Sequence, residues 1–300
     1  MNSGPGLIGG ARKALARNRF RWRLEAVIAG SATAAPLEPG LEPDDLLAAL
    51  LEAAVSASSE MGARLRLLNG VASGPLRDLL YQRFGEDEPA RRVPAMQIAG
   101  LLGMGECIPL LARAAAGTDA TVREAAARAL GRIGGAGAAD ALVRAIRWRR
   151  ESAVRLTLEL ARAAPVLYLE RALLDLEFAP VRGWLALAAG LRRRPSAVAS
   201  LVHVLATGSR FERIAACRAL GWIGDPSVLP AIGYLLKDPG WQVRWAAARA
   251  LGQIGEPGCL AELEENLQDR NLKVRVGTAG AIARLTQATT SEPLQVAAWR

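Results

Sequence analysis

The chain has 300 residues, 51% of them hydrophobic but only 5% aromatic, and its apolar mass is mostly Ala and Leu, which suits a large helical core. The formal net charge of +9 rests almost wholly on arginine, since lysine occurs only at 13, 237 and 273. No run reaches the about 18 apolar residues of a membrane span and no alternating strand pattern occurs; the three cysteines, Cys107, Cys217 and Cys259, lack metal spacing and an even pairing, which points to a reducing cytosol.

Residues 1–36 form a basic arm that ends in a Gly/Ser/Ala/Pro stretch. The apolar run from Leu24 to Ala29 is broken by Glu25 and no cleavage pattern follows it, which argues against a signal peptide. Read as a helix, the arm gathers Phe20, Leu24, Val27 and Ile28 on one face and sets much of its arginine elsewhere. Such a segment can lie on an anionic membrane surface or dock on a partner helix, with Arg19, Phe20, Arg21, Trp22 and Arg23 as contact candidates. The alternatives are an extra capping helix or a disordered arm. Residues 37–88 open with acids (Glu38, Glu42, Asp44, Asp45, Glu52) and hold three expected helices, around 43–57, 60–69 and 74–84. They form an N-terminal helical cap over a repeat face that would otherwise be exposed.

From about residue 89 the chain restates itself. Val122 to Gly134 reads Val-Arg-Glu-Ala-Ala-Ala-Arg-Ala-Leu-Gly-Arg-Ile-Gly, Val243 to Gly255 nearly repeats it, and a third copy runs from Glu212 to Gly224. An Arg placed eight residues before a small residue sets the register: Arg123 to Gly131, Arg155 to Ala163, Arg182 to Gly190, Arg213 to Gly221, Arg244 to Gly252 and Arg275 to Ala283. A weaker unit precedes these, closing on Gly103 with Ala95 in place of the Arg. That makes about seven units, of which a stack needs roughly three to bury a continuous core. Within a unit the first helix carries Ala and Gly for close approach, and Gly255 is the expected left-handed C-cap. The second helix starts at Asp225-Pro226 or Glu256-Pro257, with Leu229, Ile232, Leu235 and Leu236 facing inward. The repeats span 89–286, and a polar tail, 287–300, follows.

The Val-Arg opening, the central Ala-Leu-Gly-x-Ile-Gly and the Asp-Pro lead-in resemble HEAT repeats, and among them the short bacterial phycobilisome-lyase HEAT-like repeats. The resemblance covers roughly 89–286. It implies an all-α chain: a right-handed α-solenoid (superhelix) of about seven HEAT-like helix pairs behind the N-terminal helical cap. The third and fourth units depart from the pattern at Arg162-Ala163-Ala164-Pro165 and Ala189-Gly190-Leu191-Arg192, so an altered turn is expected there.

Two basic features bear on function. The repeated arginines (Arg123, Arg155, Arg182, Arg213, Arg244, Arg275) either line a charged groove or pack on the neighbouring repeat and pair with a turn acid such as Asp119, Asp238 or Asp269; their regular recurrence favours the second. Arg147, Trp148, Arg149 and Arg150, with Arg192, Arg193 and Arg194 one to two repeats on, break the pattern and read as an interaction edge. The partner expected first is a protein with an acidic surface, then an anionic membrane surface, then nucleic acid; a solvated edge without a specific role is the alternative. The basic arm also loosely resembles bacterial HEAT-repeat proteins found beside membrane glycosyltransferases that make exopolysaccharide.

Enzyme signatures are mostly absent: no phosphate loop, nucleophile elbow or metal cluster. The lone histidine, His203, suits an inter-repeat contact better than a base, and one histidine excludes the paired His-Glu iron sites of deoxyhypusine hydroxylase, a catalytic HEAT-repeat enzyme. Chromophore attachment, the activity of the phycobilin lyases, has no support here beyond the repeat. The reading is therefore a non-catalytic scaffold, with no cofactor, that presents a rigid curved surface in the cytoplasm or at the inner face of the membrane.

Overall fold

The computed structural model describes residues 5–148 and 152–290, and among these every regular element is helical. The chain divides into two compact units, residues 1–149 and 150–300. The N-terminal unit holds α1 (Pro5–Ala29), α2 (Pro43–Ala57), α3 (Met61–Ala72), α4 (Pro75–Phe84), α5 (Pro89–Leu102), α6 (Ile108–Ala115), α7 (Ala120–Ile133) and α8 (Gly135–Trp148). The C-terminal unit holds α9 (Ala153–Ala163), α10 (Val166–Leu174), α11 (Arg182–Leu191), α12 (Val198–Thr207), α13 (Arg210–Ile223), α14 (Leu229–Tyr234), α15 (Trp241–Ile254), α16 (Leu260–Asn266) and α17 (Leu272–Thr290).

The basic arm is a single helix that docks on α2 and α3. Phe20, Leu24 and Val27 are fully buried, as their spacing requires, while Ile28 lies at the rim. The arm's cations are engaged by the acids of the following segment. Arg19 and Arg23 converge on the buried Glu38 at 2.7 and 2.6 Å, Arg17 and Arg21 meet Glu52 at 3.1 and 3.4 Å, and Lys13 reaches Asp45 at 2.7 Å. Glu38 would be costly to bury alone, and two guanidinium groups offset that cost. Pro43, Pro75 and Pro89 start α2, α4 and α5 at the position where the missing amide has no helical partner to lose.

In both units the first helices of successive repeats form one layer and the second helices another. In the C-terminal unit α11 packs on α13, α13 on α15 and α15 on α17; in the N-terminal unit α5 packs on α7. The seam is made by glycine. A Cβ added to Gly100, Gly190, Gly221 or Gly252 would lie 2.6, 2.4, 3.0 or 2.6 Å from the Cα of Ala129, Ala219, Ala250 or Ala281 on the next first helix. Backbone thus meets backbone, and the Ala content of these helices follows from that approach. Gly224 and Gly255, at φ 81° and 84°, close α13 and α15 as left-handed caps.

The first repeat corrects the register read from sequence. Gly103 is the left-handed cap of α5 (φ 78°), and Gly100 is the seam residue. The arginine eight positions before it is Arg92, so this unit keeps the Arg and stands 31 positions before Gly131. The irregular turns of the third and fourth repeats also have a visible form. α9 ends on Ala164 in extended backbone before Pro165, without a left-handed residue. After α11 the left-handed place is filled by Arg193 (φ 47°), the one non-glycine with positive φ among the described residues.

Candidate functional site

The repeated arginines are joints. Four of the guanidinium groups turn back to the carbonyls of the loop that precedes their own helix: Arg123 to Gly117 and Thr118, Arg213 to Gly208, Arg244 to Asp238 and Pro239, Arg275 to Asp269. Three of the repeated arginines reach an acid of the following repeat: Arg182 to Glu212 at 3.5 Å, Arg213 to Asp238 at 3.0 Å, and Arg244 to Asp269 at 2.6 and 3.0 Å. The hydrogen bonds from Arg244, with a further one from the Asn271 amide, hold the Asp269 carboxyl below the usual carboxylate range, and Arg244 is raised in turn. Asp119 plays a different part, capping α7 through the Val122 amide at 2.8 Å.

The expected contact residues are distributed unevenly. On the arm, Phe20 is 0% exposed and belongs to the core, so it is withdrawn from any surface; Arg19, Arg21 and Arg23 are ion-paired, and Trp22, 70% exposed, is the contact candidate left open. Arg147 and Trp148 end α8 in the N-terminal unit, with Trp148 75% exposed. Arg149 and Arg150 lie outside the described residues. In the C-terminal unit Arg192 and Arg193 are exposed, but Arg194 is not available: its Nη1 and Nη2 donate to Pro165 O and Ala164 O at 2.8 Å each, tying two repeats where the usual glycine cap is missing. His203 is exposed on α12, contrary to the inter-repeat contact expected for it.

A different surface stands out in the C-terminal unit, on the solvent side of the first-helix layer. Each first helix offers one stripe there: Trp184, Leu187 and Leu191 on α11; Phe211, Ile214, Arg218 and Trp222 on α13; Gln242, Trp245, Arg249 and Gln253 on α15. The rings lie in hollows left by glycine. Ideal Cβ positions at Gly183, Gly190 and Gly277 fall 2.4 Å from Phe211, 2.9 Å from Trp222 and 2.6 Å from Trp245. Trp184 and Phe211 pack at 5.1 Å between centroids, Arg249 lies 4.8 Å over Trp245, and Lys273 of α17 lies 5.2 Å from Trp241. Each ring is thereby fixed in orientation while keeping part of its surface in water; Phe211 is 45% exposed. The matching surface of the N-terminal unit, a groove of about 350 Å³ over α5, is lined by Leu51, Val55, Gln97, Leu101, Arg128 and Arg132 among others, with no ring.

Sequence reasoning passed over this face because its residues sit inside the repeat motif. The signal was present: Phe211, Gln242 and Lys273 share one repeat position, as do Ile214, Trp245 and Val276, and Trp222, Gln253 and Arg284. Those variable positions mark the solvent stripe, while the invariant Ala and Gly mark the seam.

The stacked helix pairs, the glycine seam and the arginine joints agree with the match to the model of HEAT repeats, which covers residues 76–162, 166–233, 207–283 and 229–299. The chain belongs to the HEAT-repeat family. Among solved structures, this HEAT-repeat chain is similar to human deoxyhypusine hydroxylase in complex with glycerol (21% identity over 91% of this chain and 99% of that one, TM-score 0.39). It is also similar to a designed armadillo repeat protein (16%, covering 69% and 98%, TM-score 0.38) and to an engineered protein (17%, covering 89% and 82%, TM-score 0.35). These scores are too low to carry function across. No curated protein shows significant similarity to the chain. Among the described residues no group of three or more His, Cys, Asp or Glu is placed to hold a metal ion, and no helix is long and apolar enough to cross a membrane.

Proposed function

We propose that this HEAT-repeat protein is a non-catalytic adaptor that binds a protein partner on the first-helix face of its C-terminal unit. The motif at Val122–Gly134 and Val243–Gly255 supports placing it in the phycobilisome-lyase HEAT-like subtype, without that subtype's chromophore chemistry. One observation carries the reading: Trp184, Phe211, Trp222 and Trp245 lie partly exposed on three neighbouring helices, each held by its neighbours. Stacking does not demand rings at those positions: sister repeats carry Gln and Lys where Phe211 stands, Gln and Arg where Trp222 stands, Ile and Val where Trp245 stands, and Ala or Gly where Trp184 stands. Aromatic side chains already fixed in place lose little conformational freedom on binding, and with arginine they dominate protein interfaces.

The test is site-directed photo-crosslinking in the native cell, using the full chain with a photoreactive residue at Gln242 on the face or at Lys237 beside the second-helix layer. A discrete adduct from Gln242 and none from Lys237 is expected. Adducts from Lys237 alone, or none from either position, would overturn the reading.

A further inference from the structure

The charge on the proposed face says what it receives. The helices α11, α13, α15 and α17 contain one acidic residue, Glu212. It is buried, with its side chain committed to Arg182 and to the amide of Ser209 at the start of α13. The same helices expose Arg218, Arg249, Lys273 and Arg284, and among the described residues neither Arg218 nor Arg249 has an ion-pair partner. Other acids of this unit include Glu159 on α9, paired with Arg162, Asp238 and Asp269 in the arginine joints, and Glu262, Glu264 and Glu265 on α16 of the second layer. An anionic partner is therefore drawn to the first-helix side and repelled from the α16 side.

Aliphatic groups separate a peptide from a nucleic acid. Leu187, Leu191, Ile214 and Val276 lie among the cations, and a sugar–phosphate backbone would leave them with nothing to cover them. The rings are also poor stacking platforms for bases, because Arg249 lies over Trp245, Lys273 lies near Trp241, and Trp222 rests on Gly190. Their remaining exposed surface suits small apolar side chains.

We infer that the face takes an acidic peptide segment with apolar anchors, its Asp and Glu meeting Arg218 and Arg249 and its Leu or Phe side chains entering between Phe211, Ile214 and Trp222. This rests on the proposal that the face is an interaction site, and it adds the chemistry of the occupant.

The probes are synthetic: an amphipathic peptide rich in Glu, Asp, Leu and Phe, the same peptide with Gln and Asn in place of the acids, and oligo(dT), each titrated against the full-length protein by tryptophan fluorescence and calorimetry. Saturable binding of the acidic peptide is expected, weaker by about tenfold or more for the amide peptide and for Arg218→Glu combined with Arg249→Glu. Thermal melting of that variant shows whether it stays folded; Tyr234→Ser, on α14 of the second layer and 81% exposed, is expected to bind as the parent does. No binding of the acidic peptide, equal binding by the amide peptide, unchanged binding by the charge-reversed variant, or oligo(dT) competing at equal affinity would each overturn the inference. A Gln242 adduct without acidic-peptide binding would leave the face as an interaction site and reject this occupant; no Gln242 adduct would reject both.

Discussion

At Arg193 the backbone enters the left-handed region, where the equivalent residues of the next two repeats are Gly224 and Gly255. A side chain there costs roughly 1–2 kcal/mol, against the roughly 0.5–1 kcal/mol that glycine loses in unfolded-state entropy. Arg193→Gly is thus expected to raise the urea midpoint modestly; a fall would show that the exposed Arg193 side chain contributes more than its backbone strain removes. The seam glycines predict the opposite sign. At Gly252 helix propensity favours Ala by about 1 kcal/mol, but a Cβ would stand 2.6 Å from both Cα and Cβ of Ala281, contact that costs about 1–3 kcal/mol to relieve. Sterics win by that comparison, so Gly252→Ala should lower the melting temperature, and a higher one would mean that the helices separate without penalty. Telling Gly252 from Gly255 was within reach of the sequence, because a glycine before Ile and one after it fall on different sides of a helix end. Gly100 and Gly103 were confused because Leu101-Leu102-Gly103 imitates the motif's own Ala-Leu-Gly.

Between elements, the joint from α15 to the loop before α17 is governed by Arg244 and Asp269, both nearly buried. Asp269 titrates below the usual carboxylate range, chiefly because Arg244 donates to its ionised form. Its folded value lies below its unfolded value of about 3.9, so its contribution is fully present above that value and disappears as pH falls through the folded one. Asp269→Asn should therefore destabilise at neutral pH, and the gap between variant and parent should close below about pH 4. Urea melts at several pH values would check this, and a gap independent of pH would remove the ion pair as its cause. The arginines' role was readable from their period, but their acids were not: Asp119 looked equivalent to Asp238 and Asp269 and caps its helix instead. The docking of α1 was likewise half legible. Phe20, Leu24 and Val27 announce a buried face, whereas the meeting of Arg19 and Arg23 at Glu38 depends on a chain reversal that no local pattern encodes.

Across the molecule, the three thiols report on different places in the two units. Burial pushes Cys107 up to about 11 and Cys217 up to about 12, and raises Cys259 as well, so thiolate is scarce in the folded protein. Stability in stacked repeats is a sum of neighbouring interfaces, and outer repeats open first. Alkylation along a urea gradient should therefore reach Cys259, in the turn before α16, at lower urea than Cys217 in the middle of α13. Simultaneous labelling of the two would show that the C-terminal unit unfolds as one block. The fold was legible because every repeat restates it, while the aromatic face was not, since four helices are needed to bring Trp184, Trp222, Trp245 and Lys273 onto one side.

The arginine joints also make repeats interchangeable. Arg213 and Arg244 stand 31 positions apart, as do their acids Asp238 and Asp269 and the seam residues Ala250 and Ala281. Excision of residues 224–254 would bring Arg213 into register with Asp269 and Gly221 with Ala281, remaking both contacts from parts already in place. Such a chain can gain or lose whole units by duplication or deletion without inventing a new junction, so the span of its surface is open to selection while the rule that joins one repeat to the next stays constant.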